Sequence, residues 1–160
     1  MNRMIKRVLC LSLAAVLALG LTACGSKAKP VDPQSCTYDE MVDYLTQEGY
    51  ISEDAAPVNI NETQGYVTDH TGGTLSVVPV ADRAEDYEGL WLFWWDLENQ
   101  TDVYEMYQSM QSNSGTIVIQ GGAAVLETAG RNGAFAIAFA PDYAQKDAAL
   151  AAFEALPEQQ

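Results

Sequence analysis

Residues 90–97, Leu-Trp-Leu-Phe-Trp-Trp-Asp-Leu, restrict the fold more than any other stretch of the chain. As a strand over Leu90–Leu97, they place Leu90, Leu92 and Trp94 on one face and Trp91, Phe93, Trp95 and Leu97 on the other. Neither face is polar. Such a strand needs cover on both sides, which predicts a central strand between two layers. The alternative leaves one face open as an aromatic binding surface. Trp91 and Trp95, two pleats apart on the same side, are then the candidate ligand-binding residues.

A second strand is legible at Ala134–Ala140. Phe135, Ile137 and Phe139 alternate with four alanines, so one face is large and the other permits close approach. Gly130-Arg131-Asn132-Gly133 before it predicts a hairpin, because Asn-Gly tolerates positive φ. Thr74–Val80 reads as a strand that Pro79 pushes toward an edge. Two further strands, Thr116–Gln120 and Ala123–Thr128, flank Gly121-Gly122. Residues 82–88 read as an acidic loop, and 50–73 carry too many Gly, Pro and Asn for a long element.

Three helices complete the pattern. Thr37 and Glu40 form a capping box, with Cys36 and Met41 as its hydrophobic staple and Gly49 as its close. Asp102 with Glu105, and Asp142 with Gln145, predict caps for helices that end near Gln111 and Pro157. The expectation is one α+β domain with a mainly antiparallel sheet of about four to five strands and two to three helices packed on it.

The N-terminus bears on location. Arg3, Lys6 and Arg7 precede an apolar run from Val8 to Leu19, and Leu21-Thr22-Ala23-Cys24 follows, then Gly25 and Ser26. A membrane-crossing helix needs about 20 apolar residues, so this run is too short to span stably. The tetrapeptide resembles the lipobox of bacterial lipoproteins, and the general layout is similar to small lipoproteins of Gram-positive bacteria. The resemblance implies cleavage before Cys24, a diacylglyceryl anchor on its sulfur, and residence on the extracytoplasmic face of the cell membrane. An ordinary secretory signal cleaved near Ala18-Leu19-Gly20 is the alternative. The implied organisation is a signal peptide at 1–23, a lipid-anchored flexible linker at 24–34, and a compact acidic α+β domain at 35–157.

Cleavage sharpens the charge. Residues 1–23 hold three of the eight basic residues and none of the 22 acidic ones, so the remainder has a formal charge of −17 against −14 for the whole chain. Such a body repels phosphate backbones, which argues against nucleic acid as a partner. Cys36 would be the only thiol left, so no intrachain disulfide is expected.

Four groups could carry chemistry. Cys36, just before a helix, with the sole histidine, His70, suggests a thiolate nucleophile, but Asp32, Asp39 and Glu40 oppose its ionisation. Asp96, Glu98, Asn99 and Asp102 offer oxygen ligands for Ca²⁺ or a carboxylate pair for glycan hydrolysis, without the spacing of an EF-hand loop. Ile119-Gln120-Gly121-Gly122 lacks the Lys-Ser/Thr of a phosphate loop. The tryptophans are the fourth. Together these residues predict a non-catalytic binding or accessory protein of the cell envelope with no cofactor. Its expected partners are the membrane, through Cys24, and an envelope protein or glycan. A small cell-wall hydrolase using Asp96 and Glu98 is the alternative.

Overall fold

The computed structural model describes residues 28–63, 66–69, 75–118 and 125–157. In chain order its elements are α1 (Tyr38–Gln47), β1 (Val58–Asn59), α2 (Ile60–Thr63), β2 (Tyr66–Asp69), β3 (Leu75–Val78), β4 (Arg83–Tyr87), β5 (Leu90–Trp94), α3 (Tyr104–Ser112), β6 (Thr116–Val118), β7 (Val125–Glu127), β8 (Gly130–Asn132), β9 (Phe135–Phe139) and α4 (Lys146–Glu154).

The strand that is apolar on both faces, β5, lies at the centre of a five-stranded antiparallel sheet of order β1-β4-β5-β9-β8. Its faces separate as alternation requires. Leu90 and Leu92 join Phe135 and Ile137 of β9 beneath α1 and α4, in a core that includes Tyr38, Met41, Leu45 and Phe153. Phe93 and Trp95 join Ala136 and Ala138 beneath α3, with Met106 and Met110. The architecture is α+β, a mainly antiparallel sheet with helices packed on it, as expected. Two two-stranded ribbons, β2–β3 and β6–β7, accompany it.

Helix α1 begins as its sequence predicts. Thr37 Oγ1 accepts the Glu40 N–H at 3.2 Å while the Glu40 carboxylate accepts the Thr37 N–H at 2.8 Å. At its far end the amides of Gly49 and Tyr50 donate to the carbonyls of Thr46 and Leu45, closing it in a Schellman motif. The caps predicted for the other helices do not form. The residues before α3 and α4 are Val103 and Gln145, with ψ near 0° (1° and 15°) and no side-chain cap. An N-cap needs an extended backbone to aim its oxygen at the next turn, and these lack it. Asp102 and Asp142 therefore stay exposed outside their helices.

Three further expectations change. Residues 82–88 are not a loop: Arg83–Tyr87 is β4, between β1 and β5. Its charges are compatible with a sheet because Arg83 Nε donates to Glu85 Oε1 at 3.1 Å and the Tyr87 hydroxyl donates to Glu85 Oε2 at 2.5 Å. The β8–β9 turn falls one residue later than read, at Gly133-Ala134, and Asn132 belongs to the strand. Buried there, Asn132 Nδ2 donates to the carbonyls of Phe153 and Leu156, both at 3.1 Å, and so ties down the end of α4.

The third concerns the expected linker. Residues 28–34 are docked on the body. The Ala28 N–H donates to Glu48 Oε1 at 2.9 Å, Val31 packs against the α1 core, and the Pro33 carbonyl accepts the Ala134 N–H at 3.0 Å. Gly133 (φ +56°) makes this possible, because a Cβ there would lie 2.4 Å from the Pro33 carbonyl oxygen. Composition misleads here: the segment has few large side chains, but it docks through its backbone.

Candidate functional site

The aromatic strand is mostly interior. Trp95 is 1 % exposed, its indole N–H donates to the Val80 carbonyl at 3.0 Å, and its ring centroid lies 6.3 Å from Phe93 and 5.7 Å from Tyr107. That places Trp95 in the core between sheet and α3, as the reading of a central strand covered on both sides expects, and not on the open face of the alternative. Trp91 is half-buried over the same core. Its indole N–H is buried with no partner among the described residues. The two candidates thus share a face but not an exposure.

Cys36 is half-buried against the α1 core. Burial pushes its thiol up to about 11, and the carboxylates of Glu40 and Asp32 push the same way. The helix N-terminus loses to burial and its own acidic turn. Cys36 is therefore a protonated thiol at neutral pH, the form that does not attack. His70 and Gly121-Gly122 lie outside the described residues, as does Cys24.

Asp96 organises its own turn. Its Oδ1 accepts the N–H groups of Glu98 and Asn99, each at 3.1 Å, and its Oδ2 accepts Asn99 Nδ2 at 2.6 Å. The hydrogen bonds from Asn99, followed by that from the Glu98 amide, hold its carboxyl below the usual range. A general acid needs the opposite shift. Among the described residues, no group of three His, Cys, Asp or Glu side chains could hold a metal ion. No described helix is long and apolar enough to cross a membrane.

A charged cluster that sequence did not reveal sits where β4 meets α1. The Arg83 guanidinium lies 4.0 Å from the centroid of the Tyr38 ring, and Nη1 donates to Asp39 Oδ1 at 2.7 Å. Glu85 completes the enclosure through Nε. Burial, the first cause in each case, lifts the Tyr38 and Tyr87 phenols above their usual range. These tyrosines remain neutral donors, and the cluster joins sheet to helix. The only signal in sequence is a period-two match of Arg83, Glu85 and Tyr87 on one face of a strand read as a loop.

Comparison with protein-family models, with curated proteins and with solved structures finds no match to this chain. The functional reading therefore rests on its own residues.

Proposed function

We propose that the chain is a membrane-anchored extracytoplasmic lipoprotein whose acidic body binds a partner or serves an envelope assembly as an accessory, without transforming a substrate. The observation that carries the binding half is that two of the groups which sequence offers for catalysis are committed to the fold. Cys36 keeps its proton, with its thiol up at about 11, and Asp96 spends both oxygens on its own turn. The lipobox-like Leu21-Thr22-Ala23-Cys24 supports the anchored half. With Ala28 docked, only residues 25–27 separate that cysteine from the body, at most about 14 Å at full extension. The body then rides close to the headgroups, and its charge favours basic or neutral partners over anionic ones.

Two measurements test this reading. Cys24→Ala should move the protein from the membrane fraction to the soluble one; unchanged retention would refute the anchor. Crosslinking on intact cells should recover a defined envelope partner. Release of glycan fragments by the purified chain, abolished by Asp96→Asn, would replace the binding reading with the hydrolase.

A further inference from the structure

The first described residues are pinned to one side of the molecule. Ala28 is buried in a groove that it shares with Tyr44 and Glu48 of α1 and with Ala148, Ala152 and Ala155 of α4 and its C-cap. Its N–H donates to Glu48 Oε1 at 2.9 Å, Val31 packs into the core beneath α1, and the Pro33 carbonyl accepts the Ala134 N–H. Contacts at Ala28, Val31 and Pro33 thus fix where the chain leaves the body. It leaves between α1 and α4, with the sheet and then α3 behind them.

The surroundings of that exit suit a lipid surface. Ala148, Ala151 and Ala155 are exposed at a spacing of three and four, an uncharged arc flanked by Asp147 and Glu154. The basic residues divide in the same sense. Arg83 is paired with Asp39 and Glu85, and Arg131 donates to the carbonyls of Met110 and Gln111 at the end of α3. Lys29 and Lys146, the other two described, are exposed, make no salt bridge among the described residues, and both belong to the α1/α4 side. Lysines at that position are attracted to anionic headgroups. Asp39, Glu40 and Asp43 oppose that attraction, but they lie in the first half of α1, whereas Ala28 sits at its end with Glu48.

We propose that this side of the body lies against the membrane, with the alanine arc of α4 and the two lysines at the headgroups and α3 turned outward. The inference rests on the lipid anchor at Cys24. Residues 25–27 reach at most about 14 Å, whereas a sheet and a helix layer of ~10 Å each put α3 about 20 Å behind the exit, beyond the tether's reach. The side left open to an envelope partner is then that of α3.

The test is fluorescence quenching of the full lipidated chain in phosphatidylcholine–phosphatidylglycerol vesicles that carry a headgroup nitroxide. In a Cys36→Ala background the fluorophore is attached through Ala151→Cys on α4 or Gln108→Cys on α3, both at exposed positions. Quenching should be severalfold stronger at position 151 than at 108. Inserting about twelve Gly and Ser residues between Ser26 and Lys27 frees the body to turn, so the difference should shrink while the chain still floats with the vesicles. A chain that does not float, or floats equally after Cys24→Ala, overturns the anchor and this inference with it. A chain that floats through Cys24 but is quenched equally at both positions, or whose difference survives the insertion unchanged, overturns the orientation alone. A label at 151 that is shielded yet unquenched, in a chain that sediments as a dimer, would assign the arc to a second copy instead.

Discussion

On the face of the sheet beneath α1 and α4, cross-strand neighbours are both large: Leu92 opposite Ile137, and Trp94 opposite Phe135. On the face beneath α3 they are mismatched, with Trp91 opposite Ala138 and Phe93 opposite Ala136. The first face fills its layer from both strands at once. The second leaves room over the alanines, which the rings of Phe93 and Trp95 and the methionines of α3 occupy. Both solutions reach a closed interior, but they fail differently. The large face is vulnerable to loss of volume and the small face to gain of it.

The largest effects should come from emptying either core. Phe135→Ala on the large face and Trp95→Ala on the small one should each cost about 3–5 kcal/mol in denaturant unfolding, because both side chains are fully buried. Trp95→Ala also orphans the Val80 carbonyl. Ala136→Leu separates the faces: it should cost about 1–3 kcal/mol by overpacking beneath α3. A neutral result there would mean that the small face is not closed.

The helices extend the contrast at smaller scale. Thr37→Ala removes the side-chain cap of α1 and should cost about 1 kcal/mol, whereas Asp102→Ala beside the uncapped α3 should stay within about 0.5 kcal/mol of wild type. The α1 cap is also pH-sensitive. Its hydrogen bonds from the Thr37 backbone and hydroxyl lower the Glu40 carboxyl below its ordinary value. A lowered carboxyl stabilises above its unfolded pKa and loses that contribution as pH falls through the folded one. The melting-temperature gap between wild type and Glu40→Gln should therefore be open at pH 7 and narrow on acidification. Last, with its thiol raised from 9.0 to about 11, Cys36 should alkylate on the order of a hundredfold more slowly near pH 8 than in the unfolded chain. Equal rates would return it to the list of nucleophiles.

The legible parts of the fold were those in which one residue type repeats at the element's own period. β5 and β9 announced themselves by unbroken apolarity and by Phe/Ile–Ala alternation, and α1 by a capping box whose two halves bond each other. What stayed hidden depended on partners distant in sequence. β4 reads as acidic until Arg83 is seen to pair with Glu85 and Tyr87 to donate to it, and β1 has only two residues, held by pairing to β4. Residues 28–34 dock through backbone groups whose acceptors and donors are Glu48 and Ala134.

All three tryptophans of the chain lie between residues 91 and 95, so tryptophan emission reports on the central strand alone. In a Trp91→Phe, Trp94→Phe variant only Trp95 emits. The two-faced account predicts blue-shifted emission that resists acrylamide quenching until the chain is unfolded. Emission at the position of solvated tryptophan, quenched as readily as in the denatured chain, would show an open face and contradict it.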